Sequence, residues 1–425
     1  MARPTALDVL SALIGLDRQI IELALSETES YQKIEIPKRN NGRRIIHIPS
    51  EILALVQKYL LECLYSWEVH DYMHGCVIGR SPVSNAAKHL RLNKKENVRP
   101  GTGEQFLYMT VPRHVLKLDL SNAFHAVTKD AVHQMLTSAL SSTWAANLHL
   151  KQGDTDVEKK RWDIINHVRS NGYFVEPLAS LITQLTTTEG LLPQGAATSP
   201  YLLNMVICAS GLMERVAKAC KPRRGRFTVY VDDITISTKE PEIGEGFIAA
   251  MIEAVERGGR FTVNPKKTSL TDSRHRAPVI TGVTLGTNAD GTGRLSIEQS
   301  HLNTIRRILW CAANLLEQGI KPDFDEHGFS LDHALGHAAW VDNVYQDKAP
   351  HPLVAKPLAR FRKAFLCRAL GPLGTQLSLP FGEEQPKQGL RSSNRRQLLQ
   401  ELLDQLLDRP VEERIRAIDE FNTQH

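Results

Sequence analysis

Asp232 and Asp233 stand side by side between two β-branched runs, FTVYV and ITIST, where a pair of strands would carry them at a two-residue hairpin tip. Adjacent like charges repel there, and neither aspartate begins the usual Asn-Gly or Asp-Gly turn; a bound cation would remove the penalty. Taken alone, the pair also fits a solvated turn. A third carboxylate, Asp119, ends the apolar run VLKLDL. Three carboxylates at strand ends supply the hard oxygen ligands that a pair of Mg²⁺ ions requires. Two such ions about 4 Å apart can clamp the attacking and leaving oxygens of a phosphoryl transfer. The outline is that of a nucleotidyl-transfer site, one metal acidifying a primer hydroxyl and the other neutralising charge on a triphosphate.

The elements that must position these groups follow from patterning. VLKLDLSNAF reads as a strand with a polar end, and KDAVHQMLTSAL as the helix after it. LLPQGAATSPYLLNMVICASG predicts a tight turn and then a helix with Ser199 as its N-cap and Pro200 at its first position. Upstream lie a helical pattern over 7–25, two strand-like runs broken by Asn-Asn-Gly, and a helix over 51–67. HGCVIGRSPVSNAAKHLRLNKKENVRPGTG is rich in Gly, Asn and basic residues and reads as loop with one short helix. VERGGRFTVNPKKTSL and PVITGVTLGTNADGTGRLSI predict further strands. Helical patterns over 302–316, 331–345 and 358–370 then close the fold. A Gly/Pro/Ser/Gln linker and a leucine-rich amphipathic tail end the chain.

A chain of 425 residues that is 42% hydrophobic and 23% charged has room for two or three packed units. No apolar stretch reaches the roughly 18 residues of a spanning helix, and the first residues lack a signal-peptide cleavage pattern, so the expectation is cytoplasmic, with no membrane partner. The six cysteines include no C-x-x-C pair and read as buried thiols in a reducing compartment. No HExxH, P-loop or Ser-His-Asp pattern offers a second chemistry. Fifty-two Lys and Arg against 47 Asp and Glu permit a polyanionic partner, and the excess is local. KPRRGR, with Arg223 and Arg224, leads into the Asp-Asp hairpin, and Lys88, Arg91, Lys94, Lys95 and Arg99 crowd one stretch. Both clusters suit salt-dependent phosphate contacts, although such runs are also common on solvated surface.

YVDD at 230–233, LKLDLSNAF at 116–124, LPQGAATSP at 192–200 and VNPKKT at 263–268 together resemble, in order and rough spacing, the reverse transcriptase family, from about Gly42 to Tyr345. The resemblance implies an α+β right-hand polymerase. Its expected divisions are an N-terminal helix and fingers (1–113), an antiparallel-sheet palm (114–295) with a fingers insertion around 140–190, a helical thumb (296–370), a linker (371–394) and an amphipathic C-terminal helix (395–425). It further implies that Asp119, Asp232 and Asp233, with the Leu120 carbonyl, hold two Mg²⁺ ions. Lys267, or its neighbour Lys266, would serve the leaving pyrophosphate. Arg44, with Arg43 beside it, would grip the deoxynucleoside triphosphate, Gln194-Gly195 would lie against that nucleotide, and Phe124 would block a ribose 2′-hydroxyl, core packing being its alternative.

NAAKH at 85–89 and ITG at 280–282 resemble two elements of the retron branch. They imply a structured noncoding RNA as template and primer, its cDNA as product, and an antiphage role. Asn85 and His89, one helical turn apart, could face one RNA strand or could pack a helix. Ala123, Ala197 and Ile280 depart from the branch's usual residues. A different defence-associated reverse transcriptase making repetitive or template-independent DNA, and an RNA-binding scaffold without chemistry, are the alternatives. QLSLPF resembles the peptide that docks on the bacterial sliding clamp, through Gln376, Leu379 and Phe381; folding back on the thumb is its other reading. The amphipathic tail needs a partner surface: its own body, a second copy, or a toxin or effector protein.

Overall fold

The first helical pattern breaks in two. α1 (Ala6–Ile14) ends at Gly15, whose φ of 75° gives the left-handed cap, and α2 (Arg18–Ser26) starts where the Asp17 side chain accepts from the Gln19 N–H. β1 (Tyr31–Pro37) and β2 (Arg43–Pro49) pair antiparallel, Tyr31 opposite Pro49 and Pro37 opposite Arg43. α3 (Glu51–Leu64) begins at Ser50, whose hydroxyl accepts from the Leu53 N–H. α4 (Pro82–Ala87) is the short helix expected next, but the basic run after it is not loop. β3 (Arg91–Glu96) pairs along its length with β4 (Gln105–Thr110). Ladder bonds to the next strand along the chain override composition there. The computed structural model describes residues 4–37, 42–67, 69–96, 105–141, 159, 163–165, 174–240, 243–346 and 348–370.

β5 (His114–Asp119) and α5 (Lys129–Ala139) follow as the pattern predicts. After α6 (Val175–Thr186), α7 (Ser199–Ala209) starts differently from expectation: Ser199 is already its first helical residue and Thr198 holds the cap position without a side-chain bond. Both hydroxyls are buried with no hydrogen-bond partner. α8 (Leu212–Cys220) leads to β6 (Arg226–Tyr230) and β7 (Asp233–Thr238). α9 (Glu245–Glu256) and β8 (Ser269–Asp272) come next; the FTV run between them makes only a bridge, Val263 with Leu120. β9 (Val279–Ile280), β10 (Val283–Thr287) and β11 (Gly293–Ile297) form a separate three-stranded sheet.

The central sheet has the order β6-β7-β5-β8, every pair antiparallel. A passing segment covers the β6 edge: the Val229 N–H donates to Tyr72 O (2.8 Å) and the His74 N–H to Val229 O (2.7 Å). One apolar cluster joins Leu116, Leu118, Val229, Ile234 and Ile236 of this sheet to Leu10, Leu60, Leu136, Leu202, Ile207 and Met251 of the helices. The strands are therefore rigid supports for whatever sits at their ends.

The chain packs as two units, divided between Glu298 and Gln299. The second is helical: α10 (Gln299–Glu317), α11 (Phe324–His327), α12 (Leu331–Tyr345) and α13 (Pro352–Leu370). Leu302, Ile305, Leu309, Val341, Val344, Leu358 and Phe361 are among its buried side chains. The Arg360 guanidinium lies 4.4 Å from the centre of the Trp310 ring and binds Glu317 through Nε at 2.9 Å. The linker, the Gln376–Phe381 peptide with Leu379, the tail over 395–425, most of 140–190 and Arg99 lie outside the described residues.

Candidate active site

Two apolar strands bring the carboxylates together. β5 and β7 run in register with Leu118 opposite Ile234, which places Asp119 directly opposite Asp233 on one face at the sheet's end. The hairpin tip differs from the sequence expectation. Tyr230 pairs with Asp233, so the two-residue loop is Val231-Asp232, and Asp233 is the first residue of β7. Val231 has a φ of 59°, an unfavourable conformation for a β-branched residue, of order 1–3 kcal/mol. Two contacts hold it. The Leu120 N–H donates to Asp232 O (2.9 Å), and Gly75 lies so close that a Cβ there would stand 2.6 Å from Val231 N.

Asp119 is buried, Asp232 half-buried and Asp233 exposed. Desolvation first, then the charges of Asp232 and Asp119, push the Asp233 carboxyl up to about 6; desolvation and Asp119 also raise Asp232, opposed in part by Lys267 and Arg44. Lys267 Nζ donates to Asp119 Oδ1 at 2.7 Å, and this bond raises the lysine's own pKa. The Asn264 N–H adds a bond to Asp119 O at 2.8 Å. Of the adjacent lysines, Lys267 is the one bonded to a carboxylate, while the Lys266 N–H turns to the Asn264 side chain. Lys117, beside Asp233, has its pKa lowered by burial, with Asp233 opposing. Among the described residues no three His, Cys, Asp or Glu side chains form a ready-made metal cage. The three aspartates nevertheless form one electrostatic group of hard oxygen donors, the kind a divalent cation of the Mg²⁺ type takes.

The nucleotide-side residues come together through the β1–β2 hairpin. The His47 N–H donates to Gln194 O at 2.8 Å, and Gly195, at φ 123°, sits where a Cβ would meet Ile46 Cγ2 at 2.6 Å. Only glycine fits that turn. Strand alternation puts Arg44 on the Ile46 face, whereas Arg43 points the other way and pairs with Glu35 at 2.6 Å. Arg43 is thus drawn off to its own partner strand. Phe124 is partly buried against the core, and its segment is tied to the Gln194 turn by the Leu192 N–H to Val127 O bond (3.0 Å).

The pair expected to face RNA sits in the interior instead. His89 is fully buried, Nδ1 bonded to Ser237 Oγ (2.7 Å) and Nε2 to Thr228 Oγ1 (2.8 Å), and burial pushes its pKa down to about 3. Asn85 is also fully buried and reaches Thr281 Oγ1 at 3.4 Å; that hydroxyl donates to Pro82 O at 2.8 Å. These residues fasten α4 to the sheet and to the ITG turn, and a fully buried side chain offers no surface to a strand. Arg91 is half-buried with Nη2 on Ser237 O (2.7 Å), while Arg223 and Arg224 are exposed. Sequence reading passed over Gly75 and Asn264. The second lies inside VNPKKT, whereas nothing in HGCV marked the first.

Residues 36–285, which contain the three aspartates, Lys267, Arg44 and the Gln194-Gly195 turn, match the family model described as "Reverse transcriptase (RNA-dependent DNA polymerase)". The chain belongs to the reverse transcriptase family. Members of this family generally use divalent metals and have a right-hand polymerase fold of mixed helix and sheet. Two curated relatives are retron enzymes. The chain is 28% identical over 334 residues to the retron Mx65 reverse transcriptase of Myxococcus xanthus (78% of this chain, 64% of that protein). It is 26% identical over 262 residues to the retron Ec83 reverse transcriptase of Escherichia coli (61% and 69%). It therefore spans less than two thirds of the first relative's length. A telomerase from Candida tropicalis, solved with a fragment of telomeric RNA, aligns over 82% of this chain and 55% of its own at 11% identity and a TM-score of 0.38, too low to carry an argument.

Proposed function

We propose that the chain is an RNA-directed DNA polymerase that reverse transcribes a cognate structured noncoding RNA by two-metal nucleotidyl transfer, as in a retron-like antiphage system. The observation that carries this reading is the meeting of Asp119, Asp232, Asp233 and Lys267 at one end of the central sheet. The donor set fits Mg²⁺, because mutually repelling carboxylates gathered at one strand end are the groups whose charge a hard dication offsets. Asp119, Asp232 and Asp233, with the Leu120 carbonyl, would hold two ions, and bound Mg²⁺ supplies Lewis-acid neutralisation of phosphate charge. The protein's own residues do the rest. Lys267 carries a proton that it can give to the departing pyrophosphate. Arg44 offers a fork to the triphosphate, the Gln194-Gly195 turn braces the nucleotide, and Phe124 crowds its 2′ position.

In this reading residues 1–113 are an N-terminal helix and fingers, 114–295 the palm with its insertion, and 296–370 the thumb. The RNA serves as template and primer, deoxynucleotides are substrates, and the site of action is the cytoplasm; no helix among the described residues is long and apolar enough to cross a membrane. An effector protein, a second copy, and the sliding clamp through Gln376–Phe381 are the further candidate partners.

The test is extension of oligo(dT) on poly(rA) with dTTP and Mg²⁺, together with sequencing of the nucleic acid that co-purifies from cells. Asp232→Asn combined with Asp233→Asn should abolish extension and leave RNA affinity intact. A short DNA branched from one structured RNA is the expected product. Repetitive or template-free DNA would instead favour another defence-associated enzyme, and RNA binding with no extension by the unaltered protein would favour the scaffold.

A further inference from the structure

At the other end of the β6–β7 hairpin from the carboxylates lies a cavity of about 240 Å³ lined by Arg91, Arg223, Arg224, Arg226, Lys239 and Glu240. β7 runs from Asp233 to Thr238, so about 17 Å of strand separates the two ends. That exceeds a Debye length of about 8 Å, and a ligand here is not the triphosphate of the catalytic end.

The cavity is built, rather than a chance gathering of surface charge. Arg91 Nη2 donates to Ser237 O (2.7 Å), and Arg226 Nη1 to Leu90 O (3.0 Å) and Lys88 O (3.2 Å). Carbonyls fix these guanidiniums in place without neutralising them. Arg91 Nε is buried and has no hydrogen-bond partner. Arg223 and Arg224 are presented on a turn that the backbone locks. Arg224 adopts φ 46°, its N–H bonds Lys221 O (3.1 Å), the Gly225 N–H bonds Cys220 O (2.9 Å), and Thr238 Oγ1 donates to Arg223 O (2.8 Å). Burial first, and Arg226 second, push the Arg91 pKa down to about 10, so the cluster is held together against its own repulsion. A single carboxylate, Glu240, shares the lining.

On the functional reading above, we infer that this cavity binds consecutive backbone phosphates of the RNA at a region distant from the template nucleotide, anchoring a folded part of the RNA at the far end of the catalytic hairpin. Guanidinium forks match phosphate oxygens in pairs, and several forks around one basin suit a run of phosphates better than a single ion. Such contacts fix position without reading bases.

The test uses the full-length protein carrying Arg223→Gln with Arg224→Gly, the glycine being free of strain at a positive φ so that the charge goes without a folding penalty. The probe is a labelled RNA hairpin with a single-stranded tail, titrated between about 50 and 200 mM salt. The expected result is affinity lowered about tenfold and a log–log salt slope shallower by about 1.4 to 1.8, with an unchanged melting temperature. Wild-type affinity and slope in the folded variant would overturn the inference, as would a loss confined to inorganic tripolyphosphate. Parallel extension of oligo(dT) on poly(rA) separates the two failures. A wild-type protein that extends while the variant binds RNA normally sinks the pocket alone; one that neither extends nor binds RNA sinks the functional reading, and the pocket's ligand with it.

Discussion

Gly75→Ala tests whether the strained Val231-Asp232 turn is held by its neighbour. The new methyl would lie 2.6 Å from Val231 N, 2.6 Å from Val231 Cγ2 and 3.0 Å from the Tyr230 carbonyl carbon. Ordinary contact begins at 3.4 Å, so something must move by about 0.8 Å. A rotamer change frees Cγ2 but not the main-chain nitrogen. Gly75 cannot easily retreat, because Asn204 Nδ2, buried behind it, donates to its carbonyl at 2.6 Å. The turn therefore shifts, and with it Asp232, whose carbonyl accepts from the Leu120 N–H. Overpacking of this kind costs about 1–3 kcal/mol, and displacing a reacting group by about 1 Å costs about a hundredfold in rate. Urea titration should show that loss of stability, and primer extension should show kcat down about a hundredfold with KM little changed. Adding Val231→Gly, which relieves both the Cγ2 contact and the φ of 59°, should restore part of the stability. A Gly75→Ala protein with wild-type urea midpoint and kcat would refute the reasoning; lost stability with normal kcat per folded molecule would refute its catalytic half.

His89 and His74, held near 3 and 4 by burial, stay neutral in the folded protein while their unfolded counterparts protonate below about 6.5. Their stabilisation is therefore full above pH 6.5 and is lost as pH falls toward 4 and then 3. Fully buried His89 alone should cost about 2 kcal/mol by pH 5, read from urea midpoints against pH, and His89→Gln should flatten the slope. Lys267→Met should lower kcat about a hundredfold or more with KM nearly unchanged in steady-state extension, and Lys267→Arg should recover part of it. Phe124→Ala should raise ribonucleotide incorporation relative to deoxynucleotide by about tenfold or more in competition assays, and unchanged selectivity would return Phe124 to a packing role.

Local chemistry was legible in the one-dimensional order. Apolar β-branched runs ending in aspartate have few ways to fold other than as paired strands with carboxylates at their ends. That is why Asp119, Asp232 and Asp233 could be named from patterning before any fold was known, whereas Lys267 and Gln194-Gly195 were named only through the resemblance to the reverse transcriptase family. Register could not be named. Whether Asp232 or Asp233 begins β7 depends on which residue pairs with Tyr230, and a one-residue slip exchanges the faces of the strand. Burial was equally hidden. Asn85 and His89 carry polar groups that suit RNA or a core network equally well, and only the arrival of Ser237, Thr228 and Thr281, more than a hundred residues away, decided for the core. Arg43 and Arg44 are neighbours in sequence but lie on opposite faces of a strand, and the partner strand's Glu35 claims one of them. The sequence by itself determined which chemical groups the protein owns and which segments extend or coil, because those follow from side chains and short-range patterning. The tertiary structure alone decided which groups share a face, which are removed from water, and how a hairpin with carboxylates at one end comes to carry a basic cavity at the other, because contacts between distant segments set those outcomes.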